Sequence, residues 1–172
     1  DARNHAGVKR VIALAAVGGI AGHMRPGDVV LPDQIVDYTW GREQTFLTGA
    51  EAGVNHIDFT WPYSPAWRQH LLAAATRAGI VLHPAGTYAV TQGPRLESAA
   101  EIDRLERDGA HIVGMTGMPE AALAKELGLE YAAIALVVNA AAGRSKEPIT
   151  MDVIRRNLAI CSQKALEIIQ HC

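Results

Sequence analysis

The sequence predicts an α/β fold, a sheet covered by helices. Two observations carry this. Short apolar runs rich in β-branched residues recur along the chain, as strands buried on both faces require. Between them lie segments with apolar residues at helical spacing, opened by capping residues and closed by glycine. With 172 residues, 49% hydrophobic and 20% charged, the composition fits one soluble globular domain over residues 1–172.

The first strand is expected over residues 8–17, "VKRVIALAAV", ending at Gly18–Gly19. A second, "DVVLPDQIVDY", carries Pro32, which implies a bulge or an edge position. Residues 39–63 lack periodicity, are rich in aromatic residues and contain His56; an ordered loop of that length is often functional. Ser64–Pro65 opens a helix with Leu71, Leu72 and Ala75 on one face and a stop before Gly79. "IVLHPAGTYAVTQ" reads as a strand broken at Pro84–Gly86. Ser98 and Glu101 stand at capping-box spacing ahead of Ile102 and Leu105, and Gly109 closes that helix. "HIVGM" is a short strand, "MPEAALAKELG" a helix, and "YAAIALVVN" an almost wholly apolar strand. An amphipathic helix over residues 150–171 ends the chain.

A formal net charge of −2 gives no broad basic surface, so no nucleic-acid partner is expected. Only Cys161 and Cys172 are present, which builds no disulfide framework and suits a reducing cytoplasm. No apolar run reaches membrane-helix length. Gly18, Gly19 and Gly22 match neither a Walker loop nor GxGxxG, and no His–Cys spacing suggests zinc, so neither a dinucleotide nor a metal is expected. In open α/β sheets ligands sit beyond the carboxyl ends of the strands. Here those ends carry Gly18–Gly19, the segment 92–97 with Glu97, Met115–Thr116 and Asn139, a set suited to a small polar ligand.

Three stretches, "GPRLESAAEI", "DGAHIVGMTGMPEAALAKELGLEYAAIALVVNAAAG" and "AAVGGI" followed by "RPGDVVLPDQIVDYT", resemble the purine nucleoside phosphorylase and methylthioadenosine phosphorylase family. Within it they are most similar to the bacterial S-methyl-5'-thioinosine phosphorylases. The resemblance implies a phosphorylase-type mixed central sheet flanked by helices. It implies phosphorolysis of a purine nucleoside to free base and a pentose 1-phosphate, with phosphate as co-substrate and no metal or organic cofactor. It also implies a homotrimer with shared sites. The family's Gly-rich phosphate loop and Arg-His-Gly segment are not in this sequence, so the N-terminal part of the fold is expected to be missing.

The same resemblance gives individual residues roles beside their ordinary ones. Glu97 is either an acid favoured at a helix start or the carboxylate that reads the base. A carboxylate only accepts hydrogen bonds; a 6-oxopurine carries a proton on N1, whereas adenine N1 is itself an acceptor. Asn139 either satisfies loop backbone or donates to purine N7 and O6, stabilising charge that builds up as the base departs. Adenine-specific relatives place Asp at the position of Asn139 and again at that of Ala141, and Ser at that of Glu97. The implied substrate is therefore S-methyl-5'-thioinosine, with inosine and guanosine as the alternative and methylthioadenosine behind them. Met115 is core or a ribose contact, and Thr116 is implied to donate to phosphate, as are the backbone amides of Ala16 and the turn at Gly18. Ala15 lacks the polar group that often precedes that Ala, and Leu96 stands where many relatives have Phe against the base. His56 resembles a histidine lent to a neighbouring subunit, and Val153, with Met151 and Ile154, is expected to wall the 5' end.

Overall fold

The computed structural model describes residues 7–47, 53 and 55–172. They form a 6-stranded mixed sheet: β1 (Arg10–Gly19), β2 (Val29–Val30), β3 (Gln34–Asp37), β4 (Thr87–Val90), β5 (Ile112–Gly114) and β6 (Glu130–Ala140). The helices are α1 (Pro65–Arg77), α2 (Ala99–Arg107), α3 (Glu120–Glu126) and α4 (Met151–Gln170). Strand order is β2-β6-β1-β5-β4-β3. β1 runs parallel to β6 along its whole length but meets β5 only at Gly18 and Gly19, antiparallel.

Two sequence expectations need correction. β1 does not end at Gly18–Gly19 but runs through them, with a register shift between Val17 and Gly18. Residues 28–38 do not form one strand: β2 and β3 lie at opposite ends of the strand order. Pro32, which has no N–H for a ladder, falls in the gap between them. From Val30 to Gln34 the chain reaches at most ~14 Å, whereas five strand spacings in a flat sheet span ~24 Å. The sheet must therefore curl until its ends approach. His83 shows this directly, forming a parallel bridge to Val30 on the outer side of β2 just before the chain enters β4. Arg68 of α1 holds the corner, donating to the carbonyls of Pro32 (2.9 Å), Leu31 (3.1 Å) and Pro84 (2.5 Å).

The helices start where the caps direct. Ser64 Oγ accepts from Trp67 N, Thr150 Oγ1 accepts from Val153 N, and Ser98 with Glu101 completes a capping box. α1 and α4 pack Leu71, Ala74, Cys161, Ala165 and Ile168 on Ile134, Leu136 and Val138 of β6. α3 covers the other face around Tyr88, Ala133 and Val137, and α2 buries Ile102 and Leu105 against Ile20, Ala89 and Val113. Burial of this extent, at roughly 25 cal/mol per Å² of apolar surface, is what holds the strand ends in place.

Candidate active site

A cavity of about 270 Å³ opens where β1, β5 and β6 come together. β1 contributes Ala16 and Gly18, β6 contributes Asn139, and the segment after it Ala141. Met115 and Thr116 enter from beyond β5, and Leu96 and Glu97 from the segment after β4. Most of the residues singled out in the sequence thus line one space. The strand-end rule needs amending, because β1 and β5 are antiparallel. Residues inside β1 and β6 therefore face residues that follow β4 and β5.

Local chemistry explains the placements. Gly18 stands at the register shift, opposite Asn139. A Cβ there would lie 3.3 Å from Asn139 Nδ2 and 3.3 Å from Val113, so glycine leaves the amide its room. Asn139 is 8% exposed, the buried polar residue of the core. Its Nδ2 donates to Ala140 O at 2.7 Å, which leaves one amide hydrogen and the carbonyl oxygen for a ligand. Glu97 is held at one oxygen: Thr91 Oγ1 donates to Oε1 at 2.6 Å. The second oxygen is left to accept. Thr91, just past β4, escaped the sequence reading; a lone Thr carries no motif, and only its closeness to Glu97 could have flagged it.

The Met115–Thr116 loop is shaped from beneath. Tyr88 is fully buried, and a Cβ on Gly114 would lie 2.6 Å from its hydroxyl, one on Gly117 2.8 Å from its ring. Burial pushes the Tyr88 phenol above its ordinary value, with Thr116 partly opposing that shift, and its hydroxyl has no hydrogen-bond partner of normal geometry. The spacing of glycines in "GMTG" thus follows from a tyrosine one strand away.

One expectation is met only in part. Of the three residues expected to wall the 5' end, Ile154 lines the cavity, joined by Ile149, whereas Val153 is half-buried and Met151 exposed, both outside the lining. His56, expected to serve a neighbouring subunit, is exposed and lies outside this cavity. Glu97 also borders an adjoining cavity of about 310 Å³ with Trp40, Arg95 and Arg104. The smaller space is the better candidate, because it alone gathers Asn139, Thr116 and Glu97. Among the described residues, no group of three or more His, Cys, Asp or Glu is set to hold a metal ion. Nor is any helix among them long and apolar enough to cross a membrane.

The curled mixed sheet and the mainly apolar cavity carrying Glu97, Thr116 and Asn139 together are those of a nucleoside-phosphorylase type of domain, and the family model of the Phosphorylase superfamily matches residues 2–172. The chain belongs to that superfamily. It is 51% identical, over 95% of its length and 66% of the relative's, to a probable S-methyl-5'-thioinosine phosphorylase of Xanthomonas campestris. It is 48% identical to the 6-oxopurine nucleoside phosphorylase of Pyrococcus furiosus, over 84% of this chain and 56% of that one. Among solved structures, methylthioadenosine phosphorylase from Schistosoma mansoni in complex with adenine superposes with a TM-score of 0.94 at 29% identity. That superposition covers 99% of this chain and 66% of the other. The chain spans only part of the length of these relatives, between 56% and 66%.

Proposed function

We propose that the protein to which this chain belongs cleaves S-methyl-5'-thioinosine with phosphate, giving hypoxanthine and 5-methylthioribose 1-phosphate. The observation that carries this is the joint presence in one cavity of a carboxylate held at one oxygen by Thr91 and a neutral amide with a free N–H. Phosphate oxygen bonds to C1′ as the bond from C1′ to N9 breaks, and the bond's electron pair leaves with the base. Asn139 donates to N7 as charge accumulates there, and Glu97 accepts from N1–H. Met115 lies against the ribose and Thr116 donates to phosphate, together with the amides of Ala16 and Gly18. Leu96 packs on the base in place of an aromatic ring, and Ala141 leaves the base edge without a second acid.

The apolar wall of Ile149 and Ile154 suits a thioether better than a hydroxyl. The names of the Xanthomonas campestris relative and its counterparts support the same substrate. A general 6-oxopurine nucleoside phosphorylase is the second reading, favoured by the Pyrococcus furiosus relative. Phosphate is a co-substrate, and no metal or organic cofactor has a part in the scheme. A homotrimer in the cytoplasm, with His56 and the Val153 region at the subunit boundary, completes the proposal.

The test is hypoxanthine release from methylthioinosine and from inosine, each with and without phosphate. Phosphate-dependent release that is faster with the methylthio substrate is expected. Equal rates would favour the second reading, and hypoxanthine binding without phosphorolysis would reduce the protein to a purine-binding one.

A further inference from the structure

Arg42 lies in the aperiodic segment after β3, outside the candidate cavity, yet its guanidinium reaches both loops that supply it. Nη1 donates to the carbonyl of Met115 at 2.8 Å and also to that of Met118. Nη2 donates to the carbonyls of Gln92 at 3.0 Å and Thr91 at 3.4 Å. One side chain therefore satisfies carbonyls just past β4 and just past β5, where the sheet ladder has ended. Thr91 is the residue whose hydroxyl holds Glu97, and Met115 precedes Thr116 in the cavity wall. The segment carrying Arg42 is itself tied down on both sides. Trp40 N donates to Gln92 Oε1 at 3.2 Å, and Glu126 of α3 accepts from Thr45 Oγ1 at 2.6 Å and Phe46 N at 2.7 Å.

We infer that Arg42 is a positioning residue: it locks the Thr91–Glu97 loop and the Met115–Met118 loop into one frame. Arginine suits this because its planar fork offers five N–H donors in fixed directions and no acceptor. Lysine keeps the charge but is a point donor on a flexible stem and cannot hold two loops at a set separation. The consequence for catalysis rests on the phosphorylase reading above. A nucleoside bridges the two loops, with its base at Glu97 and its sugar at Met115–Thr116. A shift of about 1 Å between them costs on the order of 10²-fold in rate.

The experiment compares the unmodified full-length protein with its Arg42→Lys and Arg42→Met variants by amide hydrogen exchange and by phosphorolysis of methylthioinosine. Exchange in residues 91–97 and 114–118 is expected to rise together by about tenfold in both variants, the loss of roughly one charge-assisted hydrogen bond, with α1 and α4 unchanged. The rate is expected to fall about 10²-fold, chiefly in kcat, in both variants. Exchange rising in one loop only, in neither, or throughout the chain overturns the inference. So does recovery of kcat in Arg42→Lys, which a role through charge alone predicts. A full-length protein that cleaves no nucleoside refutes the phosphorylase reading, and the exchange data then decide the clamp by themselves.

Discussion

Replacing Thr91 by Val removes one hydroxyl and keeps the shape of the side chain. The hydroxyl donates to Glu97 Oε1 at 2.6 Å and lies 3.4 Å from Gly114 O, so its single proton goes to the carboxylate. A hydrogen bond to a charged group contributes about 1.5–3 kcal/mol. Thr91 and Glu97 are both half-buried, so water replaces part of the loss, and the lower end of that range applies. At roughly 1.4 kcal/mol per factor of ten, Thr91→Val is expected to lower kcat/KM for methylthioinosine by about 10–30-fold. Thr91→Ser, which keeps the hydroxyl, is expected to recover most of it. The assay is steady-state phosphorolysis at saturating phosphate, with thermal unfolding as a control for folding. An unchanged kcat/KM in Thr91→Val, or a Ser variant as impaired as the Val one, would refute the reasoning.

Other perturbations separate site from scaffold. Gly18→Ala places a methyl 3.3 Å from Asn139 Nδ2 and 3.4 Å from Ala141 Cα without any left-handed backbone; it should cost about 1 kcal/mol in chemical denaturation, yet lower kcat about tenfold by displacing the amide. Leu71→Ala empties a fully buried position between α1 and the sheet and should destabilise by about 2–5 kcal/mol without altering the preference between bases. The Arg95 side chain, hydrogen-bonded to Glu101, lowers that carboxyl from its ordinary 4.5 to about 2. A depressed carboxyl favours the folded state above its unfolded value, and that contribution is lost as pH falls from about 4.5 through about 2. Arg95→Gln should raise the Glu101 midpoint in an NMR titration, and a midpoint still near 2 would show that the pair is not the cause.

Caps and buried strands were legible because their causes are local. Ser64, Ser98 and Thr150 each cap a helix as their positions in the sequence require. β6, with Tyr131 to Asn139 buried, reads as a double-sided strand because it is covered by α4 on one face and α3 on the other. The split of residues 28–38 between opposite ends of the sheet order was not legible, since Pro32 marks an interruption but not where the chain goes next. The grouping of Glu97, Asn139, Met115 and Thr116 came from strand ends and from family resemblance. Thr91, Arg42 and Ile149 were invisible for a physical reason: they act through contacts spanning 6 residues at the least and 76 at the most, or by lining a wall, and such contacts leave no period in the sequence. Val153 was misplaced because which residues of the first helical turn face the cavity depends on how α4 packs against β6, which leaves no mark in the sequence.

The most direct measurement is the ratio of kcat/KM for methylthioinosine to that for methylthioadenosine, two nucleosides alike except at the purine's 6-position and N1. A site whose carboxylate needs the N1 proton to accept from, beside a neutral amide that donates to N7, predicts a ratio of ~10² or more for the unmodified protein. A ratio near one, or a preference for the amino purine, would contradict the pairing of Glu97 with Asn139 on which the account stands.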